Sequence, residues 1–436
     1  MRTTGTVCGI VGVLVMLAGL LAAPAGAGPA DQFYLPPNPL PVGAPGDIIR
    51  SEPFTLALSV PGQAGSIPAD ATRIMYRSND THGLPAAVTG TYLEPTAPWT
   101  GAGPRPLVAF AVGTQGQGDQ CAPSKAFGQL VHYRFPIDGW AEYEIPAVYA
   151  LLARGMAVVV TDYHGLGTPP VHDYLNRLAE AHAVLDSLRA AQKLTGRTAP
   201  SAIFGYSQGG GAAAAAAELQ ASYAPELDVR GTYAGAVPAD LRVVIDSPAV
   251  SGVAPGVVGG AAAGLIGFFL NGIAADYPEA RPAIDDALSP LGQTMLAETA
   301  TACISPETVL RYMFRPTNWF IRDGRSFGQT IDQSPILSEI IARQKIGTLE
   351  PTAPVLLAAG TNDDVIPYSQ VRQLAADWCA RGATVQLDRT AWLPPVLPGL
   401  TVGHVLEFVP ATAAALDWIA ARFAGAPAPS NCADLP

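Results

Sequence analysis

The sequence predicts an α/β protein in which a mostly parallel central sheet carries a helical insertion late in the chain. Three observations predict it. Short apolar runs alternate with helix-periodic stretches, the pattern of parallel βα units. One of those runs, Ala202-Ile203-Phe204, passes into a helix through G-Y-S-Q-G-G-G (205–211). The alternation then stops between about 240 and 352 and resumes with P-V-L-L-A-A-G (354–360).

Taken in order, residues 1–27 hold one Arg, an apolar stretch and Ala25-Gly26-Ala27, the pattern of a secretory signal peptide cut after Ala27. Residues 28–46 are an extended, Pro-rich lead-in. The first part of the core spans 47–239. It should contain strands at 72–77, 86–93, 107–112, 156–161, 202–204 and 232–236. Between 178 and 193, Leu178, Ala181, Leu185 and Leu188 fall on one helical face, and 209–222 forms a second helix. Residues 240–351 contain helical and Gly/Pro-rich pieces without clear strands, as expected of a cap inserted on the sheet. The rest of the core, 352–436, supplies strands at 355–359 and 384–387 and a last helix at 411–423.

Composition narrows the function classes. The 436 residues are 49% hydrophobic and 14% charged, which suits a folded globular protein. A net charge of −11 without a basic patch offers no footing for nucleic acid or an anionic membrane surface. The uncharged stretch 247–275 is long enough to span a bilayer, but its glycines, its prolines and the lack of basic flanks favour a buried or ligand-facing segment. Loss of the signal peptide removes Cys8 and leaves Cys121, Cys303, Cys379 and Cys432. An even count in an exported chain favours two disulfides, with three pairings open. No two of these cysteines are close enough in sequence to form a metal-ligand pair, and His172 and His182 lack ligand spacing, so neither metal nor cofactor is expected. No phosphate-binding loop follows a strand.

Ser207 sits at the sharp corner between strand and helix. A nucleophile there holds a strained backbone that leaves no room for Cβ atoms two residues to either side, and Gly205 and Gly209 meet that need. A serine hydroxyl needs a base. In sheets of this kind the partners follow in the order serine, acid, histidine. Of the six histidines only His404 follows Ser207, in a loop just before the last helix. The acid should end a strand between the two, and G-T-N-D-D-V-I-P (360–367) offers Asp363, favoured by spacing, with Asp364 as the alternative. The backbone N–H of Gln208 is one donor for an oxyanion. The second should come from G-T-Q-G-Q-G-D-Q-C (113–121), with Gln115 or Thr114 adding a side-chain donor. His164 lies on the loop after a central strand, at the border of the expected pocket, and precedes the serine.

The motifs G-Y-S-Q-G-G, G-T-N-D-D-V-I-P, G-H, C-A-P-S (121–124) and D-Y-H-G-L-G (162–167), taken in order, resemble those of the secretory lipases typified by the fungal lipase A enzymes. The likeness runs from about Gly46 to Cys432. It implies an α/β-hydrolase with a helical cap, a Ser207–Asp363–His404 triad, and disulfides Cys121–Cys303 and Cys379–Cys432. The expected activity is secreted, cofactor-free hydrolysis of carboxylic esters, acylglycerols among them. Leu265, Phe268 and Phe269 in the cap would line an acyl groove. Two other readings use the same fold: a serine acyltransferase or peptidase, and a non-catalytic lipid-binding or cell-surface protein.

Overall fold

The structure is a computed structural model. It describes residues 32–435 apart from 63–64, 135–137, 252, 255–256, 259–260, 305–310, 313–314 and 398. The expected signal peptide, 1–27, lies outside the described residues.

Nine strands form one sheet: β1 (Ile48–Phe54), β2 (Ala69–Asn79), β3 (Pro85–Pro95), β4 (Leu107–Ala111), β5 (Ala157–His164), β6 (Ser201–Tyr206), β7 (Val229–Gly235), β8 (Val355–Gly360) and β9 (Val385–Thr390). Their spatial order is β1-β2-β3-β5-β4-β6-β7-β8-β9. The first three strands pair antiparallel with their neighbours, and β5 onward pair parallel. Strands β4, β5, β6 and β8 are buried along their whole length, which is why they read as continuous apolar runs and not as alternating ones.

Six helices matter for the site: α1 (Ile145–Ala153), α2 (Arg177–Thr195), α3 (Gln208–Tyr223), α4 (Leu265–Asp276), α5 (Tyr368–Arg381) and α6 (Val402–Phe423). Asn176 caps α2 by accepting the N–H groups of Leu178 and Ala179, and Gly196 ends it in the left-handed conformation. Helices α2 and α3 pack on each other and against the central strands, while α1 and α6 meet and cover β5, β7 and β8.

The chain leaves β4 on one side to build β5 and returns on the other side to build β6. Loops after β4 and β6 therefore diverge and open a crevice at the carboxyl ends of the strands. Gly205 of β6 sits opposite Ala111 of β4, and Tyr206 opposite Gly235 of β7, so Ser207 emerges level with that crevice.

Two expectations change. The last helix begins at Val402, not at 411, and Pro410 lies inside it. Proline disfavours helix in the residue before it and removes one donor, which hides the first two turns from a pattern reading. The carbonyl it strands belongs to Leu406, an exposed residue that water can serve. The apolar stretch after Ser247 is broken into short pieces (Pro248–Ser251, Val253–Ala254, Val257–Val258, Ala261–Gly264) before α4. Two of the pieces pair as a minimal antiparallel ribbon where no strand was expected. Among the described residues no helix is long and apolar enough to cross a membrane.

Candidate active site

Ser207 holds φ 60° and ψ −122°, a strained corner for a residue with a side chain. Its neighbours explain how the corner fits. A Cβ on Gly205 would lie 2.0 Å from the carbonyl oxygen of Gly209, and one on Gly210 would lie 2.0 Å from that of Gly235. Backbone touches backbone at both positions, so no larger residue can enter. The run of buried alanines that follows keeps α3 close to the sheet. The positive end of its dipole thereby faces the serine.

His404 lies in the first turn of α6, not in the preceding loop. Its Nε2 is 2.9 Å from Ser207 Oγ and its Nδ1 is 2.8 Å from Asp363 Oδ2. The other carboxylate oxygen of Asp363 accepts the backbone N–H groups of Val365 and Ile366 at 2.9 and 2.8 Å, which fixes the plane of the acid. The phenol of Tyr206 donates to the carbonyl of His404 at 2.7 Å. Burial pulls the imidazole pKa down, but the charge and hydrogen bond of Asp363 outweigh it, and the net shift is upward from the usual value. Asp364 bonds the backbone of His404 and not its ring, with Oδ1 accepting the His404 N–H at 3.4 Å. Its carboxylate accepts the N–H groups of Gly399 and Thr401 at 2.8 and 2.9 Å and so holds the loop that leads into α6. The arrangement can draw a proton from the serine hydroxyl and stabilise the resulting imidazolium.

Gln208 opens α3, so its N–H has no intrahelical partner. Gln115 stands differently from expectation. Its side chain is buried, donates to Glu144 Oε2 at 3.3 Å and does not line the serine pocket. The hydroxyl of Thr114 pairs with that of Tyr174 at 2.8 Å. Glu144 also accepts the N–H of Gly113 at 2.8 Å, so a buried acid takes two donors of this loop.

A narrow apolar pocket meets Ser207. Leu265, Ile266 and Phe269 of α4 form one wall, and Val365 and Ile366, directly after the acid, form another. Of the three residues expected to line an acyl groove, Leu265 and Phe269 border this pocket and Phe268 does not. Phe268 is fully buried beside the pocket, edge-on to the lining residue Tyr174, because 265, 266 and 269 spread over one helical face and 268 falls just past its edge. Val365 and Ile366 escaped the sequence reading, although two β-branched residues beside an acid at a strand end were an available signal.

Disulfides join Cys121 to Cys303 and Cys379 to Cys432. The first ties the loop after β4 to the insertion, where Gln117 N–H also donates to Ala302 O at 2.9 Å and Ile304 N–H to Gln115 O at 2.8 Å. His164 does not line the pocket. Its Nδ1 lies 2.9 Å from Asp173 Oδ2, and with Asp276 it forms the one group among the described residues whose atoms converge closely enough to hold a metal ion. Burial lowers the His164 pKa and the charge and hydrogen bond of Asp173 raise it further than that, so the ion pair with Asp173 favours the protonated ring.

Known proteins similar to this chain include named lipases. A family model described as secretory lipase matches residues 139–431. Lipase 10 of Candida albicans is 28% identical over 96% of this chain and 86% of its own length. A Mycobacterium tuberculosis protein named probable inactive lipase MT1628 is 28% identical over 91% of this chain and 82% of its own. The solved structure of Candida antarctica lipase A superposes with a TM-score of 0.73 at 21% identity, covering 92% of this chain and 87% of that one. That likeness is one of fold, the α/β-hydrolase.

Proposed function

The chain belongs to the secretory lipase family, and from that premise we propose how its own residues carry the reaction. It is a carboxylic ester hydrolase of the triacylglycerol-lipase kind. In the mechanism we assign, His404 takes the proton of Ser207, whose oxygen attacks the ester carbonyl. Asp363 holds the imidazole in the tautomer that accepts at Nε2 and steadies the cation that forms. The oxyanion of the tetrahedral intermediate is stabilised by the N–H of Gln208 and the dipole of α3. His404 then protonates the departing alcohol. A water molecule, deprotonated by the same imidazole, cleaves the acyl-serine.

The observation that carries this reading is the unbroken contact from Asp363 through His404 to Ser207 at 2.8 and 2.9 Å. The apolar wall from Leu265 to Phe269 supports acylglycerols with medium or long acyl chains as substrates. Two disulfides fit an oxidising compartment outside the cytoplasm, in line with the secretory reading of residues 1–27.

A fluorophosphonate probe tests the mechanism: labelling of the purified chain should vanish in Ser207→Ala. Initial rates on p-nitrophenyl esters from acetate to palmitate test the substrate class, with the maximum expected beyond butyrate. A chain that resists the probe and hydrolyses no ester in the series is not the enzyme described here.

A further inference from the structure

The residue after the nucleophile carries an amide side chain where the backbone alone would suffice. Gln208 is 2% exposed, and its Nε2 donates to Glu180 Oε1 at 2.6 Å and to His172 Nε2 at 2.9 Å. Both partners are 1% exposed. Glu180 stands in the first turns of α2, and the same oxygen accepts the N–H of Leu175 at 3.0 Å. His172 presents Nδ1 to the carbonyl of His164 at 2.9 Å, and its ring stacks on Tyr163 at 5.8 Å between centroids. A carbonyl only accepts, so the imidazole proton sits on Nδ1 and Nε2 is left to accept from Gln208. Each hydrogen of the Gln208 amide thus has its own acceptor.

Three buried polar side chains beside a run of glycine and alanine call for an explanation. Apolar residues at all three positions would spare the fold their desolvation. What the amide adds is orientation: the 207–208 peptide belongs to a strained corner, and its N–H is free of the helix ladder. Anchoring the side chain from two directions limits rotation about that peptide.

We propose that Glu180 and His172 are positioning residues for acyl transfer. Through the Gln208 side chain they hold the peptide N–H that faces the oxyanion. The proposal rests on the acyl-transfer reading given above. It adds a supporting shell drawn from α2 and from the loop after β5, so the geometry of the transition state depends on two side chains, Glu180 and His172, that do not line the pocket.

The test uses the full chain with Gln208→Leu, Glu180→Leu and Glu180→Gln. Steady-state hydrolysis of p-nitrophenyl butyrate and inhibition by butylboronic acid, whose serine adduct is tetrahedral, are measured together. Loosening the donor should lower kcat by about tenfold to a hundredfold in both leucine variants. KM should stay within about twofold, and the boronate inhibition constant should rise in step with the loss in kcat. Glu180→Gln keeps an acceptor oxygen and should recover most of the rate. Should either leucine variant fail to fold, the double variant Gln208→Ala/Glu180→Leu, which leaves neither polar group unpaired against the other, takes its place with the same expectation. Folded variants with unchanged kcat and boronate affinity overturn the proposal, as does a loss confined to KM or one equal in Glu180→Gln and Glu180→Leu. A wild-type chain without ester hydrolysis instead overturns the hydrolase reading on which the proposal stands.

Discussion

Gly209 approaches Ala111 so closely that a methyl group on its Cα would lie 2.0 Å from the alanine's carbonyl oxygen. That approach seats the start of α3 against the end of β4 and brings the corner at Ser207 to the crevice. Gly209→Ala should therefore force backbone apart, with a loss of stability on the order of 3 kcal/mol and misplacement of the serine. Soluble yield, thermal midpoint and fluorophosphonate labelling all report on it. A variant with wild-type midpoint and labelling would show that the close packing does not matter.

Asp363 and Asp364 are neighbours in sequence with separate tasks. The first touches the imidazole, and the second holds the loop before α6 through Gly399 and Thr401. Asp363→Asn should lower kcat by roughly four orders of magnitude with little change in the thermal midpoint. Asp364→Asn should instead lower the midpoint and reduce kcat only about tenfold, because it loosens a loop and removes no reacting group. Equal kinetic effects of the two substitutions would contradict this division.

What could be read from the sequence follows from how local each constraint is. The Ser207 corner shows in its glycines because the backbone there excludes side chains within a span of five residues. His404 stands out because no other histidine follows the serine. The placement of Gln115 was not legible, since it depends on Glu144, an acid 29 positions away that reaches it only in the folded chain. Phe268 failed for a different reason. A helix apolar on nearly every side, as α4 is, carries no periodicity to set its phase, so the face toward the pocket emerges only from packing.

The Cys121–Cys303 bond closes 182 residues of chain and joins the loop after β4 to the insertion that covers the pocket. Constraint of the unfolded chain alone should make it worth between about 2 and 5 kcal/mol. Cys121→Ser/Cys303→Ser should lower the thermal midpoint and admit a protease into the insertion, detectable as early cleavage by limited trypsinolysis. Since Gly116, Gln117 and Ile304 also pair across the seam, the crevice should survive at low temperature and retain part of the activity.

Activity and stability should respond to pH in opposite directions. The base must be neutral, and Asp363 raises His404 above the ordinary histidine value near 6.5, so the acid limb of kcat/KM should have its midpoint above that value. Activity then climbs through neutrality. The same ion pair contributes stability fully below pH 6.5 and loses that contribution as pH rises through the raised value. Buried acids add to the fall. Burial pushes Glu142 up to about 8, and burial together with the charge of Asp173 does the same for Asp276. In the unfolded chain each would ionise near pH 4. Between that pH and about 8 the folded state therefore binds more protons than the unfolded one, which costs on the order of 1 kcal/mol per pH unit for each group. The thermal midpoint should peak near pH 5 and decline toward pH 8 at constant ionic strength, and Glu142→Gln should flatten part of the decline. A midpoint that stays level or rises from pH 5 to 8 would mean that these carboxyls ionise freely in the folded protein.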